Sequence, residues 1–227
     1  HGPMNSLPPY EQVFSIEFDN GQRAQAVRAR PNDDPHRSLL LLGLPDSRPV
    51  LFVVGGAGGM TDAIRDRTRA MIDGVAAFAE EHGAAIVDGG TESGIMQMCG
   101  DARLRGGYTF PLLGVSPLGK VSYPGYANPN EEAFLEDSHT HFILVDGREW
   151  GDESYMLLGV AGAMASGSFP VAGVLVNGGQ IALQEVFLAS LRTPPFPVIA
   201  LEGSGRLADA LVAALRTGRS ERRLLRT

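Results

Sequence analysis

The chain has 227 residues, of which 44% are hydrophobic and 20% charged, a composition typical of a globular protein rather than a disordered one. Its 19 basic and 26 acidic residues give a formal charge of −7, which argues against a binder of duplex nucleic acid, because such proteins usually present a basic face. Apolar runs stay well short of the roughly 18 residues that a membrane-spanning helix needs, so we expect no membrane insertion.

The first 47 residues are expected to form an N-terminal segment that packs on the main domain. Its opening His-Gly-Pro is typical of a tag remnant. Residues 12–18 and 23–29 alternate apolar and polar side chains around Asp19-Asn20-Gly21, which predicts a β-hairpin. Residues 31–37 are polar and contain two prolines, so we expect a loop there. Cys99 is the only cysteine, which fits a reducing compartment, and we expect the cytoplasm.

Residues 48–227 show the pattern of one α/β domain. Short apolar runs predict strands covered on both faces, at 50–54, 84–87, 111–115, 142–145, 171–176 and 198–201. Helical periods alternate with them, at 61–82, 94–105, 154–166, 181–191 and 207–215. In the first of these helices we expect an inward face of Ile64, Met71, Val75 and Phe78. The alternation predicts a Rossmann-like, doubly wound, mainly parallel sheet with an N-terminal β-hairpin.

Four glycine turns each follow a predicted strand and precede a helix, at 55–59, 89–94, 177–179 and 203–206. In a parallel sheet these turns lie at one edge, where open α/β sheets bind ligands. Glycine permits close approach of a ligand, and the helix N-termini offer free N–H groups that suit a phosphate. The expected ligand-binding residues are Gly55, Gly56, Ala57, Gly58, Gly59, Gly89, Gly90, Thr91, Gly94, Asn177, Gly178, Gly179, Gly203, Ser204 and Gly205.

Two common nucleotide motifs are missing from these turns. The first turn carries Thr61 where G-x-G-x-x-G requires its last glycine, and no Gly-Lys-Ser/Thr follows a strand. A standard dehydrogenase and a Walker-type ATPase are therefore disfavoured.

A polar group at the start of the helix 154–166 is the next candidate for the site. Asp152 and Glu153 suit ribose hydroxyls or acid–base work, and they equally suit the positive end of a helix dipole. Ser154 is a candidate N-cap, and Trp150 either stacks on a base or closes the pocket.

Three further side chains have a functional and a structural interpretation. Glu92 either binds ribose or caps the helix that begins at residue 94. Lys120, the only lysine, either contacts a phosphate or is solvated. Arg206 begins a helix, where a cation is unfavourable unless an anion is near, so it either contacts the ligand or pairs with Asp209 or Glu202.

His139 and His141 alternate on a predicted strand and would share one face. Two histidines at this spacing suit a metal, but no third ligand stands out, and we expect no metal site.

These residues resemble a known superfamily. The segment 88–96, Asp-Gly-Gly-Thr-Glu-Ser-Gly-Ile-Met, resembles the Gly-Gly-Gly-x-x-Gly-Leu-Met segment of the LOG phosphoribohydrolases. The rest resembles the LSDAT branch of the SLOG superfamily, prokaryotic relatives of the N-terminal domain of TRPM channels. The segments that carry this likeness are 55–59, 114–117, 123–125, 139–146, 150–154, 177–179 and 203–209. By this likeness Asp146 and Gly151 join the expected ligand-binding residues.

The resemblance implies a Rossmann-like domain that senses an adenine nucleotide, ADP-ribose or an NAD-related molecule, with no cofactor required. We expect a homo-oligomer, a dimer or tetramer. The alternative is an enzyme that hydrolyses N-glycosidic bonds, with Glu153 as its catalytic residue. The second LOG motif, Pro-Gly-Gly-x-Gly-Thr-x-x-Glu, is poorly kept at 146–154, which disfavours that activity.

Overall fold

The computed structural model describes residues 6–218, so the expected tag remnant at residues 1–3 lies outside the described residues. Its strands are β1 (Phe14–Glu17), β2 (Arg23–Ala29), β3 (Val50–Gly55), β4 (Ala85–Asp88), β5 (Leu112–Pro117), β6 (Val121–Ser122), β7 (Ala133–Phe134), β8 (His141–Val145), β9 (Val171–Val176) and β10 (Val198–Ala200). Its α-helices are α1 (Pro35–Leu41), α2 (Asp62–His82), α3 (Gly94–Gly106), α4 (Ser154–Ala165), α5 (Gln180–Ser190) and α6 (Arg206–Thr217).

Eight strands form one sheet in the order β1-β2-β8-β5-β4-β3-β9-β10, and β6 and β7 form a separate pair. Within the large sheet only the hairpin pair β1–β2 is antiparallel. From β3 the chain moves outward through β4, β5 and β8, and then returns to the other side of β3 as β9. This reversal beside β3 is the switch point at which doubly wound sheets open a crevice for ligands. The predicted fold class is confirmed.

The sheet is covered on both faces, which explains why its central strands are apolar throughout. Helices α1, α4, α5 and α6 contribute to a core on one face. Helices α2 and α3 pack on the opposite face. A third cluster lies around the hairpin and the segment 118–135.

The N-terminal hairpin extends the main sheet. Strand β2 pairs in parallel with β8, from Gln25 opposite His141 to Ala29 opposite Val145. The boundary at residue 47 stays a prediction, but the hairpin shares its hydrogen bonding with the large domain.

The loop expected at 31–37 is wrong from Pro35 onward, where α1 begins. Proline fits the first helical position, because the N–H that it lacks has no partner there. The Asp34 carboxylate caps the helix by accepting a 2.9 Å hydrogen bond from the His36 backbone N–H.

The inward face predicted for α2 is only partly right, since Val75 packs against the core but Met71 and Phe78 do not. The buried residues are Thr68, Ile72, Ala76 and Ala79. Met71 and Phe78 remain 40% and 49% exposed. The sequence offers two overlapping apolar stripes, and the stripe with the smaller side chains permits the closer approach to the sheet.

Candidate functional site

The four glycine turns meet at the carboxyl edge of the sheet, as their placement predicted. The first and second turns touch, since a Cβ atom placed on Gly94 would lie 3.2 Å from the Cβ of Ala57. The first and third turns are closer still. Gly55 has φ of 131°, and a Cβ atom there would lie 1.8 Å from the Val176 carbonyl oxygen. Only glycine fits this position.

Asn177 ties three of the turns together. Its side-chain Nδ2 donates to the carbonyl oxygens of Gly58 (2.9 Å) and Ser204 (3.0 Å). Its Oδ1 accepts from the Gly178 N–H at 2.7 Å. The side chain is buried and fully used, so we assign Asn177 a structural role rather than the ligand contact predicted for it.

The backbone N–H groups of Gly203 and Gly205 in the fourth turn already have an acceptor in the following helix. The N–H groups of Gly203 and Gly205 donate to the Asp209 carboxylate at 2.7 and 3.1 Å. The Ser204 hydroxyl donates to the Leu201 carbonyl oxygen and accepts from the Asn177 N–H. These three predicted residues shape the turn and leave little of it to hold an anion.

Arg206 stands apart from the partners expected for it. Asp209 is occupied by the fourth turn, and Glu202 pairs with Arg216. Across residues 6–218 Arg206 forms no ion pair, although it is exposed and has a left-handed φ of 46°. Its guanidinium lies against Gly58 and Gly179, where added Cβ atoms would approach it to 3.0 and 2.5 Å. A free cation therefore lies over the first and third turns.

Four helices at this edge begin without a side-chain cap. The capping residues of α3, α4, α5 and α6 make no capping hydrogen bond through their side chains, whereas Thr61 caps α2 at 3.2 Å. At α6 the N–H groups of Leu207 and Ala208 donate to the carbonyl oxygens of Gly178 and Asn177, so the starts of α3, α4 and α5 are the ones that favour an anion nearby. For Glu92, the cap interpretation is wrong, because Ser93 holds the N-cap position and Glu92 is exposed.

A pocket of about 300 Å³ opens at the ends of β3 and β4. Predicted residues that line it are Gly55, Gly89, Thr91, Trp150 and Glu153. The other lining residues are Val53, Val54, Ser93, Met96, Glu132, Ala133, Leu157, Ile181 and Glu185. We call it the edge pocket.

Two buried carboxyls, Glu153 and Glu185, line the edge pocket. Burial raises the pKa of Glu185 to about 8, and the nearby Glu153 carboxyl adds to this rise. Burial also raises the pKa of Glu153, against the effect of the Gly151 N–H, which donates to its Oε2 at 2.9 Å. Ser154, the first residue of α4, lies beside Glu185 but its Oγ makes no normal hydrogen bond within the described residues. Glu185 was not among the residues predicted from the sequence, although an acid between apolar residues of a predicted helix is a signal.

Glu132 lines the edge pocket and pairs with a lysine outside the pocket lining. Glu132 accepts hydrogen bonds of 2.7 Å from the Lys120 Nζ and the Trp150 Nε1. These contacts hold the pKa of Glu132 below its usual value. Lys120 also lies 3.7 Å from Glu149, so its charge is already compensated. Glu132 thus positions Trp150. Because Lys120 already has two acidic partners, it is poorly suited to the phosphate contact predicted for it.

Two predicted ligand residues next to α4 already have partners within the protein. Asp146 pairs with Arg28, 2.8 Å from Nε to Oδ1, and accepts a hydrogen bond from the Tyr10 hydroxyl. Asp152 accepts from the backbone N–H groups of Arg148 and Glu149 at 2.9 and 3.0 Å. We therefore interpret both as residues that shape the loop. Gly151 accepts a 3.1 Å hydrogen bond from Gln184 through its carbonyl oxygen.

The two histidines do not share a site. His139 precedes β8 and is enclosed between Asp88 and Glu136, at 2.6 and 2.5 Å. His141 begins β8 and contacts the Thr140 hydroxyl. Within residues 6–218 no group of three or more His, Cys, Asp or Glu side chains is arranged to hold a metal. In the same span, no helix combines the length and apolarity required to cross a membrane.

Comparison with known proteins identifies the family of this chain. The family model described as "SLOG in TRPM, prokaryote" matches residues 48–227. Similar curated proteins include transient receptor potential cation channel subfamily M member 1 of Mus musculus (27% identity over 89% of this chain and 15% of the channel) and the trpm channel of Drosophila melanogaster (26%, 89% and 12%). Subfamily M member 7 of Homo sapiens is 27% identical over 89% of this chain and 13% of the channel. The chain thus spans less than a sixth of these relatives.

Among solved structures, the X-ray structure of TM1055 matches with a TM-score of 0.49 and 19% identity, over 72% of this chain and 79% of that one. The family model covers most of the chain, including all four glycine turns and the edge pocket. The chain therefore belongs to the SLOG family of TRPM type, in its prokaryotic branch.

Proposed function

We propose that this domain is a ligand sensor that binds an adenine nucleotide, ADP-ribose or an NAD-related molecule at the carboxyl edge. The observation that carries the proposal is the convergence of the first three glycine turns, with unpaired Arg206 above them and the edge pocket beside them. Backbone N–H groups and one free guanidinium form a typical phosphate environment.

The site divides into a part with a basic side chain and a part with acidic ones. Arg206 lies against Gly58 and Gly179, whereas Glu153 and Glu185 line the edge pocket. Phosphates would therefore lie outside, over the turns, and a ribose with its hydroxyls would enter the pocket. A volume of about 300 Å³ is at the small end for ligand pockets and suits one end of a nucleotide.

Calorimetry with ADP-ribose, NAD, AMP and a cyclic dinucleotide tests the proposal. We expect at least one of them to bind, and Arg206→Gln to weaken that binding at least tenfold, because a charge-assisted contact to phosphate is lost. The matched control is Arg216→Gln, which changes an arginine of the same helix that already pairs with Glu202. Absence of binding by all four at millimolar concentration would refute the proposal.

A second candidate function is an N-glycosidase. It is favoured by the two buried carboxyls in one pocket, since paired carboxyls of unequal pKa assist departure of a leaving group through an oxocarbenium-like state. Free base released from AMP or NAD by the protein, and lost in Glu153→Gln, would establish it. Glu149→Gln, an exposed acid near the same helix start, is the control.

A further inference from the structure

The edge pocket is acidic and lacks a compensating cation. Its lining residues include Glu132, Glu153 and Glu185 but no lysine, arginine or histidine. Glu132 is neutralised by Lys120 from outside the pocket, so Glu153 and Glu185 are the acidic groups that a guest meets. This part of the site offers a phosphate no cation.

The carboxyls of Glu153 and Glu185 are also buried without a charged partner of opposite sign. Glu185 is only 6% exposed and Glu153 only 5%, and neither forms an ion pair within the described residues. The charged groups that act on them are each other and Asp152, with the Ser154 hydroxyl beside Glu185. An ionised carboxyl buried without a counter-charge is costly, so burial favours the protonated form of Glu185. A positively charged guest would supply the missing counter-charge and release that proton to the solvent.

An aromatic ring completes the environment. Trp150 lines the pocket, and its Nε1 is held by Glu132, which fixes the indole in place. Indole rings attract cations to their faces, and this attraction increases where water is excluded. Carboxyls and an indole together are typical surroundings for an organic cation.

We infer that the edge pocket binds a positively charged ring, of which the pyridinium of an oxidised nicotinamide nucleotide is the type that fits the rest of the site. The pocket would hold the ring among Trp150, Glu153 and Glu185, while the phosphates lie outside near Arg206. The placement of the phosphates rests on the proposed nucleotide function. The new element is that the group enclosed in the pocket carries a positive charge.

Calorimetry with two pairs of probes isolates that charge. NAD and NADH differ in the charge of the nicotinamide ring, as do 1-methylnicotinamide and nicotinamide, which carry neither phosphate nor glycosidic bond. We expect NAD to bind at least tenfold more tightly than NADH, and 1-methylnicotinamide to bind at least tenfold more tightly than nicotinamide. Glu185→Gln should reduce both preferences to less than threefold, whereas Glu149→Gln, at an exposed acid outside the pocket lining, should leave both preferences unchanged. Circular dichroism of the variant confirms its folding.

The outcomes separate the inference from the proposed function. Equal affinity for NAD and NADH, together with binding of ADP-ribose, would overturn the cation and leave the nucleotide sensor intact. Binding of 1-methylnicotinamide without binding of any nucleotide would support the cation pocket and overturn the nucleotide proposal. Failure of every probe to bind would overturn both.

Discussion

The Nε2 atom of His139 lies 2.6 Å from the Oδ1 atom of Asp88, and both side chains are fully buried. Glu136 contacts the other ring nitrogen, so the imidazole bridges two carboxylates. Asp88 also accepts the Gly90 N–H, and the Gly90 carbonyl oxygen accepts from the Glu136 N–H. The cluster therefore fixes the second glycine turn against the segment 133–139.

His139→Gln should destabilise the fold by roughly 3–5 kcal/mol, because it leaves two buried carboxylates without their cation. Burial alone lowers the pKa of His139, but Asp88 and Glu136 outweigh it and raise the pKa to about 10. The stabilisation is thus fully present below pH 6.5 and is lost as pH rises through 10. Urea unfolding at pH 7 measures the loss. The exposed His82, changed to Gln, serves as control and should stay within about 0.5 kcal/mol of the parent.

Asn177→Ala should lower stability by about 2–4 kcal/mol, because three buried hydrogen bonds disappear and alanine must adopt a φ of 53°. Asn177→Gly removes the same hydrogen bonds, but glycine adopts a positive φ without strain. It should therefore be about 1 kcal/mol more stable than Asn177→Ala. Hydrogen exchange should quicken at residues 56–59 and 203–206 in both. Unchanged exchange in these turns would contradict the clamping role of Asn177.

Much of the fold follows from local sequence signals. Strand β9 coincides with its predicted range, and α2 begins one residue after the predicted start, where Thr61 supplies the cap. The glycine turns were placed correctly because strands covered on both faces and the glycines after them are both local patterns. Parallel pairing then brings the turns to one edge.

The chemistry of the site was harder to predict, because it depends on contacts between distant residues. Asp146 was expected at the ligand, but Arg28, 118 residues away, occupies it. Glu185 was missed because it comes near Glu153 only after α4 and α5 have packed. The identity of the bound molecule depends on such contacts too, and it stays a proposal.

Gly55→Ala should abolish folding or cost more than about 4 kcal/mol, because its Cβ atom would overlap the Val176 carbonyl oxygen between two central strands. Gly59 provides the matched control within the same turn. It also has a positive φ, 70°, but open space surrounds it, so Gly59→Ala should cost only about 1 kcal/mol. Thermal unfolding of both variants checks the contrast. Equal losses would mean that β3 and β9 separate more easily than their pairing indicates.

Glu185→Gln should change how stability depends on pH. Because the pKa of Glu185 is about 8 in the folded protein, against an ordinary 4.5, the parent holds a proton there that the unfolded chain releases. This group's contribution to the parent's free energy of unfolding is therefore greatest below pH 4.5. It falls as pH rises through 8, by an amount on the order of 5 kcal/mol. Glutamine resembles the protonated carboxyl and does not titrate. The variant should match the parent within about 1 kcal/mol at pH 5 and exceed its stability by several kcal/mol at pH 9 in urea unfolding.

Glu149→Gln, at an exposed acid, should follow the parent at every pH. Parallel curves for the parent and Glu185→Gln would show that Glu185 is ionised in the folded protein at neutral pH.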